Sequence, residues 1–436
     1  MPQQGQQRSF DILVVGRGAI GAAAALGLAQ AGMRVGWIGP AADAMPQQLA
    51  AAAPIETDAS APVGEAEQTP GFTAAAAPPA DSSWDSRVFA ISPASRELLQ
   101  RLRVWDSLPA DRIAPVYDMR VFAGDGLQPP ELHLDAYRGR VDALAWIVEN
   151  SALMRVLREG ARHAGVTSIE DEVFALTADP PGVNGRVRLT LGSGHSMAAR
   201  LVFAADGAHS AVRELSGISS RVREYPQTAV VANFDTVRPH GDTAYQWMGR
   251  NGVLALLPLP AQSESSGRCS MVWSAPNALA QTLQQLPPRD LAERVEAECR
   301  SALGPMTTIT PARSFALQML KVDRMIGPRV VLLGDAAHTM HPLAGQGMNV
   351  GFGDVSQALS VLKGREPYRD LADPLLWRRY ERARREAVLV MQATTDGLQR
   401  LFGDVPAPLA ALRHLGWRAV AASDWLRRRM IAQAVR

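Results

Sequence analysis

Near the start of the chain, Val14-Val15-Gly16-Arg17-Gly18-Ala19-Ile20-Gly21 follows a β-branched apolar run and opens an Ala/Leu-rich stretch. This GxGxxG turn constrains the fold more than any other feature. Gly16 permits the tight turn, Gly18 lets the backbone approach a pyrophosphate, and Gly21 lets helix and strand pack closely. The phosphates then meet the free N–H groups and positive dipole of the helix start. The pattern predicts a strand over 11–15, a helix over 20–31 stopped by Gly32, and a second strand over 34–38, which is a βαβ unit. One position departs. An acid at the end of the second strand ordinarily bonds the adenosine ribose. Here Gly39 stands in its place, and Asp43 is the nearest acid beyond it.

The rest of the chain must supply what this unit lacks. Its 436 residues are 47% hydrophobic and 20% charged, which excludes a disordered protein and allows a large core without staples. Cys269 and Cys299 alone cannot build a disulfide framework or a Cys-based metal centre. A net charge of +2 argues against nucleic acid as a partner. The start, MPQQGQQRSF, has no cationic segment followed by an apolar one, so a cytoplasmic location is expected.

Residues 41–83 are rich in Ala, Pro, Gln and Ser and read as a long surface loop. Structure resumes at 85–92, followed by a helix over 95–102. Residues 147–164 are expected as an amphipathic helix, because Leu153, Val156 and Leu157 recur at helical spacing. Strands follow at 173–176, 187–191 and 201–205. Further strands at 228–234, 253–258 and 270–273 suggest an antiparallel sheet in a second domain. Residues 330–333 form another buried strand, and the chain reads as helical after Gln346.

That strand runs into Gly334-Asp335-Ala336-Ala337-His338, then Thr339-Met340-His341-Pro342-Leu343-Ala344-Gly345-Gln346-Gly347-Met348-Asn349. An Asp at a strand's C-terminal end is placed to accept from the hydroxyls of a sugar-like chain. The glycines after it let backbone N–H groups crowd an anionic ring atom, and a helix starting near Gly347 aims its positive end there. A flavin ring that becomes anionic on reduction needs such a partner. The HxxH spacing lacks a sensible third ligand for zinc.

This second stretch resembles the second FAD fingerprint of the flavin-dependent aromatic hydroxylases. Leu201-Val202-Phe203-Ala204-Ala205-Asp206-Gly207 through Arg213 resembles the DG motif of the same superfamily, with Ala204 where the family carries Gly. Within it, Asp85-Ser86-Arg87-Val88-Phe89-Ala90-Ile91-Ser92, Val104-Trp105-Asp106 and Ile147-Val148-Glu149-Asn150 look most like the ubiquinone-biosynthesis hydroxylases. The resemblance covers almost the whole chain.

It implies an α/β fold: a Rossmann-like FAD-binding domain with an inserted β-rich substrate domain and C-terminal helices. The expected division is FAD-binding parts at 8–115, 141–222 and 323–372, a substrate-domain segment at 116–140, the β-rich domain at 223–322, and basic helices at 373–436. Gly16, Gly18 and Gly21 would hold the FAD pyrophosphate. Arg87 and Asn150 match positions near the phosphates and ribityl chain, Asp206 is the DG aspartate, and Asp335 would bond the ribityl chain. Gly347, Met348 and Asn349 would face the flavin's pyrimidine edge, and Pro342, Gly345 and Gly347 would shape the flavin-positioning loop. The activity implied is hydroxylation of a lipid-soluble, prenylated phenol with dioxygen, through a flavin C4a-hydroperoxide. NAD(P)H is the transient reductant, since no second complete dinucleotide unit is present.

No catalytic base is assigned by the residues; His209, His338 and His341 are the candidates. Phe234, Trp247, Met248, Leu256, Leu257, Pro258 and Trp273 could line the substrate pocket or fill a core. From Leu376 onward, twelve Arg against five acids give a local charge of +7, so a peripheral membrane surface or a biosynthetic complex is a candidate partner. Two competing functions stand beside this one: hydroxylation of a small soluble phenol or natural product, and a non-catalytic flavin-binding scaffold.

Overall fold

The computed structural model describes residues 9–41, 84–124, 131–180, 182, 185–261, 263, 265–341 and 346–402. Most of the 41–83 loop, the flavin-loop positions Pro342 and Gly345, and the basic tail beyond 402 lie outside the described residues.

The first strand, Ser9–Val15, is apolar along its length and sits at the centre of an eight-stranded sheet. It pairs in parallel with Val35–Gly39 on one side and Ser196–Ala204 on the other. Val330–Leu332 and Thr167–Glu170 continue the parallel set outward. Strands covered on both faces carry near-continuous apolar runs, as here. The helix Ala19–Gln30 is buried on nearly every side, so Ala and Gly dominate it: only small side chains let it lie this close to the sheet.

A nine-stranded sheet forms the second layer. Its long central strand, Ser220–Thr236, pairs antiparallel with both Gly267–Pro276 and Arg313–Val322. Asp118–Ala123 and Glu131–Asp135 arrive from an earlier part of the chain and extend this sheet beside Thr243–Gly249. A small three-stranded sheet, Val88–Ile91, Ala145–Glu149 and Ile113–Val116, bridges the two layers.

One expected helix is shorter than its sequence suggests. Residues 145–149 form a strand, and the helix runs only over Asn150–His163. The apolar residues with helical spacing all lie after Asn150. Ile147 and Val148 are adjacent and β-branched, and both are fully buried in the small sheet. The strands of the second layer are likewise longer than expected, because its antiparallel partners continue past the apolar runs.

Candidate active site

Both glycine-rich turns open onto one cavity of about 860 Å³ between the two large sheets. At the first turn, Gly16 has φ +113°, and a Cβ there would lie 2.0 Å from the Ala205 carbonyl oxygen. A Cβ at Gly21 would lie 2.0 Å from the Gly16 carbonyl oxygen. That carbonyl accepts a 2.8 Å hydrogen bond from Trp37 Nε1, so the turn is locked from behind. Gly18 differs: a Cβ there meets nothing within 4 Å. The space in front of it is open, and the helix behind it has no side-chain cap and no acid in its first turn. Its orphan N–H groups are available to an anion.

Gly16, Gly18, Arg87, Asn150 and Asp206 line the cavity. Asp335, Gly347, Met348 and Asn349 line it as well. Gly21 does not; it serves helix–strand packing. Several of these side chains are already committed to the protein. Asn349 accepts from Ser92 N and donates to Ala90 O, strapping its helix to the small sheet. Asp206 accepts from Ser210 Oγ, the cap of the short helix Ala211–Leu215, and from Val212 N in its first turn. Burial pushes the Asp206 pKa up despite these bonds. Asn150 donates to Asp85.

Asp335 and Arg87 remain turned to the cavity. Both side chains are exposed and line the cavity. Burial raises the Asp335 pKa, with His338 and Arg87 acting against it. Burial lowers the Arg87 pKa, with Asp335 and Asp85 acting against it. The Arg87 guanidinium lies over the rings of Phe89 and Phe315, at 5.2 and 5.5 Å.

Behind Asp335 lies a group that the sequence did not reveal. Asp354 is fully buried and accepts from Gly334 N at 2.8 Å, His338 Nε2 at 2.7 Å and Arg384 Nε at 2.6 Å. Burial alone would raise its pKa; His338 and Arg384 outweigh that and hold it low. This fixes the turn that presents Asp335 and commits His338 to a structural role. His341 is also fully buried, bonded to Gln227 Oε1, and burial lowers its pKa to about 4, so it is neutral. Of the three histidines considered as bases, only His209 lines the cavity.

The opposite wall is one face of the nine-stranded sheet. Ala229, Val231, Val253, Ala255, Leu257 and Val272 make it apolar. Gln246 and Ser274 are among the polar residues that this sheet brings to the cavity. Of the apolar residues considered as lining, Leu257 alone faces the cavity. Phe234, Trp247, Leu256 and Trp273 fill a core on the other face of the sheet, and Met248 packs in a smaller cluster. Pro258 is buried away from the cavity. Side chains alternate along a strand, so adjacent residues such as Leu256 and Leu257 serve different faces.

The residues present fit FAD: an open glycine cradle at a helix start, an acid facing the cavity at the second turn, and a second uncapped helix start at Gly347. Fold and cavity define a FAD-dependent monooxygenase of the aromatic hydroxylase type. Residues 80–395 match the FAD binding domain family. The chain is 35% identical over 357 residues to ubiquinone hydroxylase UbiL of Rhodospirillum rubrum, covering 81% of this chain and 80% of that protein. It is 30% identical to 3-demethoxyubiquinol 3-hydroxylase of Escherichia coli, covering 98% of each. In fold it is similar to p-nitrophenol 4-monooxygenase of Pseudomonas putida, with TM-score 0.68 at 16% identity over 98% of this chain and 99% of that one. It belongs to the ubiquinone-biosynthesis hydroxylases of the FAD binding domain family.

Proposed function

We propose that this chain hydroxylates the aromatic ring of a prenylated phenol in ubiquinone biosynthesis, with NAD(P)H and dioxygen. The observation that carries the reading is the continuity of one cavity from the glycine cradle to the apolar sheet face. FAD supplies the oxygen chemistry when bound. The chain's own residues bind, orient and exclude water. Gly16 and Gly18 admit the pyrophosphate, Arg87 and Asp335 hold the middle of the cofactor, and Gly347 presents backbone N–H groups to the ring. The apolar wall takes the phenol and the start of its prenyl chain, and Gln246 and Ser274 offer hydrogen bonds to its polar ring substituents. The names of the relatives support the substrate class. The division into FAD-binding segments 8–115, 141–222 and 323–372, with 116–140 and 223–322 forming the substrate domain, follows from the same reading.

The test is profiling of quinone intermediates in a strain lacking this protein. Accumulation of an under-hydroxylated, prenylated intermediate is expected, restored by the wild-type chain and not by an Asp335→Ala variant that still folds. Unchanged quinones would refute the substrate class.

No helix among the described residues is long and apolar enough to cross a membrane. Peripheral attachment is supported by the basic charge after Leu376 and by exposed Leu389 and Val390 on the helix Pro374–Phe402. Truncation after Gly403 should then reduce sedimentation with anionic liposomes at low salt. Equal sedimentation by a folded truncated chain rules the attachment out.

A further inference from the structure

The second strand ends in Gly39, where a dinucleotide fold ordinarily carries the acid that bonds the adenosine ribose. Arg17, the second residue of the glycine turn, lies over this position. A Cβ built on Gly39 would stand 2.7 Å from Arg17 Cγ and 3.2 Å from its Cδ. The arginine stem therefore fills the volume through which the usual acid would grow, and Gly39 is the residue that allows it.

The guanidinium is held on two sides. Its Nη1 donates to Glu170 Oε1 at 3.0 Å, and its Cζ stands 5.2 Å from the centre of the Trp37 ring. Glu170 ends the neighbouring strand and is in register with Gly39. Arg17 is 8% exposed and lines the cavity. Its Nε is buried with no hydrogen-bond partner. A guanidinium carries five N–H donors, and Glu170 takes one of them, so donors on the side that lines the cavity remain for a ligand.

We infer that Arg17, clamped by Glu170 and Trp37 over Gly39, holds the adenosine ribose of FAD by donating to a ribose hydroxyl. The polarity is reversed: a donor does the work ordinarily done by an acceptor. A hydroxyl can accept as well as donate, so the exchange is chemically sound. The rival acids on the same wall are Asp171 and Glu172. Asp171 is engaged by Ser193 Oγ and by the backbone N–H groups of Glu172 and Ser193. Glu172 is exposed.

The inference rests on FAD as the cofactor, and the test separates the two. Full-length apoprotein is titrated with FAD and followed by flavin fluorescence. If the wild-type chain takes up no FAD, the cofactor assignment fails. If it does, Arg17→Ala should weaken FAD binding about tenfold, as loss of one charge-assisted hydrogen bond would. Glu170→Gln, a change at a side chain 59% exposed and thus safe for folding, should weaken it several-fold by releasing the clamp. Gly39→Glu should weaken it through its clash with Arg17 and the strain of a side chain at φ +158°. Glu172→Gln should bind as wild type does. Wild-type affinity in both Arg17→Ala and Glu170→Gln would overturn the inference. So would a loss confined to Glu172→Gln.

Discussion

At the glycine-rich end of the cavity the closest approaches are set by backbone, and the far wall is built of apolar side chains. Gly16 and Gly21 let carbonyls and a helix approach to distances that no Cβ tolerates, while Gly18 leaves open space. The far wall presents Val, Ala and Leu from alternate positions of paired strands. The first kind of wall demands particular residues at particular positions. The second demands only apolar bulk of a suitable volume, so its members can change with the substrate. The difference explains why one fold can keep its cofactor while its substrates vary.

The largest expected effect lies at the backbone-built end. In Gly16→Ala the new Cβ meets the Ala205 carbonyl in a left-handed conformation. The cost should exceed about 4 kcal/mol, the upper range for single substitutions. The variant should be recovered unfolded or colourless, which expression yield and flavin absorbance would show. A yellow, stable Gly16→Ala would break the comparison.

Asp354→Ala tests the support behind the second turn. It leaves His338, Arg384 and Gly334 N without their shared partner. A loss of roughly 3–5 kcal/mol is expected from uncompensated buried charge, read by denaturant melts.

At the side-chain end, the neighbours Leu256 and Leu257 should part company. Leu256→Ala empties a core position 1% exposed and should cost about 2–5 kcal/mol. Leu257→Ala enlarges the cavity wall and should raise KM for the phenol with a stability loss below about 1.5 kcal/mol. Equal stability losses would show that the two faces of the sheet are not distinct in the way described.

Asp335→Ala sharpens the comparison at the smallest scale. Burial raises this acid's pKa, so its charged form opposes folding. Its unfavourable contribution is present at neutral pH and is relieved as pH falls through the raised folded value. The variant apoprotein should therefore melt no lower than wild type at pH 7. Its FAD affinity should nevertheless fall about tenfold, or roughly 1.4 kcal/mol.

The same contrast governs what could be read from the chain before its structure. The Gly16–Gly21 turn and the strand running into Gly334 and Asp335 are legible in sequence, and at Gly16 backbone geometry dictates the residue type. The Leu256 and Leu257 assignment is not legible, since alternation reveals two faces without saying which one meets the cavity. The strand that holds Ile147 and Val148 is not legible locally, because it is defined by partners at 88–91 and 113–116, far along the chain. Arg17 with Glu170, 153 positions apart, and Asp354 with Arg384, 30 apart, become pairs only in the folded protein. The gap at Gly39 was visible in sequence; the arginine that fills it was not, because a side chain at the second position of a glycine turn carries no signal of its own.

The central claim is that one cavity joins a FAD cradle to an apolar wall so that dioxygen is spent on a prenylated phenol. The most direct measurement supplies the purified, flavin-loaded protein with NAD(P)H, isotopically labelled dioxygen and a prenylated phenol, and reads the product by mass spectrometry. One labelled oxygen atom on the aromatic ring is the expected result, with no product from simple hydroxybenzoates. Label arriving from water, or NAD(P)H oxidation with the phenol recovered unchanged, would contradict it.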